Sequence, residues 1–149
     1  MRDDPAVTSE STTDLAGELA AVIGTVIRLL RRRVPTEVGP GSLAALATLH
    51  RGGPMRLGDL AAREGVSPPT LTRMVAALED AGYVRRRSDD HDRRAVVVSI
   101  TSGGTALVSQ AQAARAEVLR ARLAALTEAH REALVAALPA LEALADDGF

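Results

Sequence analysis

The stretch SPPTLTRMVAALEDAGYVRRRSDDHDRR, residues Ser67 to Arg94, leaves this chain the fewest folding options. Ser67 is a helix N-cap residue, and Pro68 fits the first helical position, whose N–H has no intrahelical partner. Pro69 is tolerated there for the same reason. Leu71, Met74, Val75 and Leu78 recur at helical spacing, which predicts a helix over 67–81 with one buried stripe. Gly82 follows where a left-handed cap favours glycine. The other face carries Pro69, Arg73, Ala76 and Ala77, with Ser67, Thr70 and Thr72 near the first turn. It is small, polar and singly charged, so it can approach a large anionic surface such as the major groove of B-DNA.

Tyr83–Ser88 and Ala95–Ile100 read as two strands, the second rich in β-branched residues. Between them the DDHDRR segment is polar and rich in turn formers, so helix, strand, basic loop and strand make a β-wing. Upstream, Asp59–Glu64 reads as a brief helix ended by Gly65, and helix, Gly-Val turn and helix is the helix-turn-helix pattern. Asp59-Leu60-Ala61, Val66-Ser67, Leu78-Glu79, Gly82-Tyr83-Val84 with Arg86, Asp92-Arg93-Arg94, and Ile100-Thr101 with Gly104 follow one another in order. This series resembles the winged helix-turn-helix of the MarR family of bacterial transcriptional regulators. The resemblance covers nearly the whole chain, because long helices flank the motif on both sides.

Residues 1–13 hold Pro5, several Ser and Thr and few apolar groups, which predicts a flexible arm. A helix follows over about 14–33, with Leu15, Leu19, Val22, Val26 and Leu29 in one stripe that Ile23, Ile27 and Leu30 widen. Val34-Pro35 ends it. Pro40 opens a second helix that Gly52-Gly53 closes, and Met55-Arg56-Leu57 reads as a short third strand able to join the wing sheet. Thr101 caps a helix reaching about Leu126, and Thr127 caps the last one, in which Leu134, Leu138, Leu141 and Leu144 stay in phase across Pro139. A proline in an uninterrupted stripe predicts a kink, not a break. The expected fold is therefore mainly α with a small β-wing: one domain over 14–149, with a winged head at 40–100 and long helices at 14–33 and 101–149. One copy leaves those stripes uncovered, which predicts a two-fold homodimer through the N- and C-terminal helices.

The net charge of −1 over 149 residues hides an uneven distribution. Residues 1–20 carry one Arg against five acids, whereas 21–50 carry four Arg against one and 51–94 carry nine against seven. Positive charge thus gathers where the head lies. All 18 basic residues are arginine, a choice that suits bidentate contact with phosphate and guanine but that a GC-rich genome also produces. Without cysteine there is no disulfide, thiolate metal site or thiol switch. No apolar run approaches the ~18 residues of a membrane span, and the acidic N-terminus is unlike a signal peptide, so a cytoplasmic protein with no membrane contact is expected. No nucleophile, phosphate-loop or HExxH pattern appears, so no enzyme, cofactor or metal site is expected. Asp89, Asp90, His91 and Asp92 together would be a poor cation site beside arginines.

Applied to these positions, the resemblance implies a dimeric, sequence-specific DNA-binding regulator acting as a repressor on a pseudo-palindromic double-stranded operator. Ser67, Thr70 and Arg73 face base edges and nearby phosphates, with Pro68 and Pro69 at the same helix end. Arg73 is the best guanine reader. Thr72 reaches phosphate. Arg94 at the wing tip enters the minor groove, Asp92 orients it, Arg93 backs it up, and Arg86 contacts backbone or braces the wing. Family members commonly release DNA when a small anionic or aromatic molecule binds between head and dimer helices. With one Tyr, one Phe and no Trp, a pocket here would be aliphatic with arginine or histidine at its rim, favouring a small anionic or apolar effector. A winged-helix module that binds another protein, and an architectural DNA-binding protein insensitive to ligands, are the competing readings.

Overall fold

In the computed structural model, which describes residues 5–89, 92 and 95–145, six helices surround a three-stranded sheet. In chain order these are α1 (Pro5–Arg33), α2 (Pro40–Gly52), β1 (Met55–Arg56), α3 (Leu57–Glu64), α4 (Pro68–Asp80), β2 (Val84–Ser88), β3 (Val96–Ile100), α5 (Ser102–Leu123) and α6 (Glu128–Ala145). The fold is that of a winged helix-turn-helix. The sheet is antiparallel with order β1-β3-β2, so the short Met55–Arg56 strand does join the wing. Arg56 and Arg87 flank Val97 in register from either side.

Two helix ends fix the geometry of the head. After α3, Gly65 takes a left-handed φ of 63°, and the N–H groups of Gly65 and Val66 return to the carbonyls of Ala62 and Ala61. After α4, Gly82 takes φ 80°, while its N–H and that of Tyr83 return to Glu79 and Leu78. Both are Schellman closures, which satisfy the last carbonyls and turn the chain sharply. They set the α3–α4 angle and launch β2 directly from the end of α4. Leu46, Leu49, Leu60, Leu71, Val75, Leu78, Val84, Val98 and Val108 are all but fully buried and form one core beneath these elements. Burial of each such side chain contributes ~1.5–3 kcal/mol.

The first helix differs from the sequence reading. Residues 5–13, expected to belong to a flexible arm, are helical and continue into α1, and residues 1–4 lie outside the described residues. Adding turns to an established helix avoids the unfavourable nucleation step. α5 also stops at Leu123, a turn earlier than expected, before Thr127 caps α6 through the His130 N–H. α6 is unbroken at Pro139.

The outlying helices are poorly covered. α6 has no buried residue at all, and Leu15 (62% exposed), Val22 (61%) and Leu144 (65%) stand in solvent. Among the described residues no helix is long and apolar enough to cross a membrane.

Candidate nucleic-acid interface

α4 presents an outward edge of short side chains. Ser67 caps it by accepting the Thr70 N–H at 3.4 Å, and the two hydroxyls lie 2.9 Å apart. Each hydroxyl has one proton, so only one of the pair is engaged between them and the other remains able to donate outward. Thr72 donates its hydroxyl to the Pro68 carbonyl at 2.8 Å. It would have to release that bond to donate to a phosphate. Ser67, Pro68, Pro69, Thr72 and Arg73 are exposed and Thr70 is half-buried. Arg73 has no ion-pair partner among the described residues, which suits a guanidinium that must reach an external anion.

The wing is tied to this helix by one residue pair. Glu79, in the last turn of α4, accepts the Arg86 backbone N–H at 2.9 Å and its Nε at 2.6 Å. The hydrogen bonds from the Arg86 side chain and backbone hold the Glu79 carboxyl below its ordinary pKa. Of the two roles expected for Arg86, this geometry favours bracing the wing. Arg85 and Arg87 alternate with it along β2, are exposed, and have no ion-pair partner among the described residues.

At the wing base, Asp89 donates its N–H to Ala95 O at 2.9 Å, and Ala95 donates to Asp92 O at 2.8 Å. Asp92 is exposed, and its N–H meets Asp89 Oδ1 at 3.3 Å. Arg93 and Arg94, the expected tip residues, lie outside the described residues, and so does any contact by which Asp92 would orient Arg94.

Two contacts escaped the sequence reading. Arg56 on β1 donates to Asp89 Oδ2 at 2.8 Å, across 33 residues of chain. Tyr83, just after α4, donates its hydroxyl at 2.5 Å to Glu37 in the α1–α2 connection. That bond raises the tyrosine pKa above its usual value. Neither pair has a local pattern that could have announced it. Beside Glu37, two adjoining cavities of about 190 and 310 Å³ both include Arg31 and Arg115 in their walls, with Ile27, Leu30 and Leu43 on the apolar side.

An exposed, short-side-chained helix with a wing braced against it defines a winged-helix DNA-binding protein. A model of the MarR family matches residues 40–96. An HTH-type transcriptional regulator of Mycobacterium bovis is 40% identical over 139 residues, covering 93% of this chain and 97% of that protein. The HTH-type transcriptional repressor MdtR of Bacillus subtilis is 32% identical over 91 residues, 61% of this chain and 59% of that one. Among solved structures, a transcriptional regulator of Pseudomonas aeruginosa superposes with TM-score 0.76 at 30% identity, covering 91% and 96% of the two chains. A mutant of Escherichia coli MarR has the same fold, with TM-score 0.76 at 24% identity over 85% of this chain and 95% of that one. The chain belongs to the MarR family of DNA-binding transcriptional regulators; this family and these relatives are regulators, not enzymes.

Proposed function

We propose that this chain is a homodimeric repressor that binds a pseudo-palindromic operator through α4 and the wing and leaves it when a small anionic molecule binds. The supporting observation is the Glu79–Arg86 pair, which makes reading helix and wing one unit with Arg73 exposed on its outer edge. In this reading 40–100 is the head, while 14–33 and 101–149 carry the dimer contact. Exposed apolar side chains on α1, α5 and α6 support that division. Pairing would set two heads one DNA turn apart, ~34 Å. Ser67, Thr70 and Arg73 then meet base edges, with Pro68 and Pro69 allowing close approach. Thr72 and Arg93 approach phosphate. Arg94, oriented by Asp92, enters the minor groove.

The cavities holding Arg31 and Arg115 support the effector half of the proposal: two guanidinium groups beside aliphatic walls suit an anion with an apolar body. Bordetella bronchiseptica BpsR, a protein of the same fold at 20% identity, has its DNA binding regulated by 6-hydroxynicotinic acid. The repressor name of MdtR supports the sign of regulation. The test is selection of duplexes from a random library by the full chain, followed by titration at several salt concentrations. Expected are enrichment of inverted half-sites, two protomers per site and affinity that falls steeply with salt. Absence of any enriched sequence overturns the reading.

A further inference from the structure

We propose that Arg56, a β1 residue outside the reading helix and wing loop, is a positioning residue for DNA binding, acting as a strut that fixes the wing through Asp89. Arg56 stands opposite Val97, which in turn pairs with Arg87 on β2. From that outer row its guanidinium reaches across β3 to Asp89, two residues beyond Arg87. Asp89 is where β2 gives way to the wing loop, and three of its polar atoms make separate contacts. The N–H closes the hairpin on Ala95, Oδ1 holds the Asp92 N–H, and Oδ2 receives Arg56. The carboxylate therefore links β1, which leads straight into α3, to Asp92 in the loop between β2 and β3.

Two further observations give the contact weight. The Asp89 side chain is only 11% exposed while that of Arg56 is 51% exposed, so the carboxylate is the nearly buried member. Removing Arg56 takes a charge-assisted hydrogen bond from a carboxylate that water reaches poorly, which favours rearrangement of the loop base. Space for that exists: a groove of about 530 Å³, lined by Met55, Arg56, Asp59, Arg87, Asp89 and Val97, runs beside the pair. Arg56 also faces Asp59 and Asp92 electrostatically, so it offsets an acidic cluster that would otherwise repel phosphate close to the wing.

The inference rests on the DNA-reading proposal above, and a double-mutant cycle separates the strut from a direct phosphate contact. Full-length R56A, R56K, D89N and R56A/D89N are titrated against the duplex that the unmodified chain enriches from a random library. Backbone order parameters at Asp92 and Ala95 are measured by NMR on the DNA-free proteins. Expected is about threefold weaker binding for R56A, within the range of exposed pairs, with partial recovery in R56K. R56A should have no further effect in the D89N background, and order at Asp92 and Ala95 should fall in R56A. An equal loss in both backgrounds with unchanged order would show that Arg56 touches the duplex itself and would overturn the strut. So would unaltered binding and order in R56A. If no duplex is enriched, the DNA reading fails, while the order parameters of the free protein still decide the strut.

Discussion

Glu79 grips Arg86 twice, through the backbone amide at 2.9 Å and through Nε at 2.6 Å, so the last turn of α4 is tied to the first strand of the wing. Glu79→Gln keeps the shape and removes the charge. Weaker operator binding and a small but measurable loss of stability at neutral pH are expected, because the pair is solvent-accessible. The pH dependence has a definite sign. A carboxyl whose folded pKa is depressed stabilises the fold above its unfolded pKa, and that contribution is lost as pH falls through the folded value. Chemical denaturation of wild type and Glu79→Gln between neutral pH and about pH 3 should show the difference between them shrinking towards the acid end. A constant difference would disprove the linkage.

Gly104 should be intolerant of any side chain. A Cβ there would lie 2.3 Å from the Tyr83 carbonyl oxygen and 2.7 Å from Ile100 Cγ1. The backbone oxygen cannot yield cheaply, since Tyr83 O also accepts the Thr101 N–H at 3.0 Å. Gly104→Ala is expected to cost about 1–3 kcal/mol, as overpacking does. By contrast Gly103→Ala, whose Cβ would have no contact closer than 3.6 Å, should stay within about 0.5 kcal/mol of wild type. Paired urea titrations check both.

Arg73→Ala should weaken operator binding by ~1–3 kcal/mol and relax preference at one base position in each half-site, as loss of a guanine contact does. Loss of a phosphate contact instead weakens all duplexes alike and reduces the salt slope by about one. Competition among single-base variants of the enriched duplex distinguishes the two outcomes.

Val26 and Leu123 line one apolar groove between α1 and α5, and both are exposed at 38% and 40%. If a second copy covers them, Leu123→Glu places a charge in that contact. Sedimentation should then show a dimer for wild type and a monomer for the variant at micromolar concentration. A wild-type monomer at that concentration would remove the dimer from the proposal.

What can be read in advance follows from short-range rules. The α4 cap at Ser67, the helix end at Gly65, the left-handed turn at Gly82 and the β-branched strand leading to Ile100 are set by neighbouring residues, and the structure places all of them. The value of Gly104 is not legible, because it depends on Tyr83 approaching from the turn before β2. Nor are Arg56–Asp89 and Tyr83–Glu37, which lie 33 and 46 residues apart. Nothing in periodicity or capping links such distant side chains; only the assembled sheet does. The start of α1 is hidden for another reason: composition alone makes residues 5–13 look unstructured, while a helix already formed downstream extends readily through them.

α5 runs for 22 helical residues from Ser102 to Leu123, with Gly104 in its first turn pressed against Tyr83. Such a rod is about 33 Å long. At that length a tilt of about 5° about the near end would carry the far end through roughly 3 Å. The close fit of Gly104 on Tyr83 is thus the place where any tilt of α5 would be felt by the head.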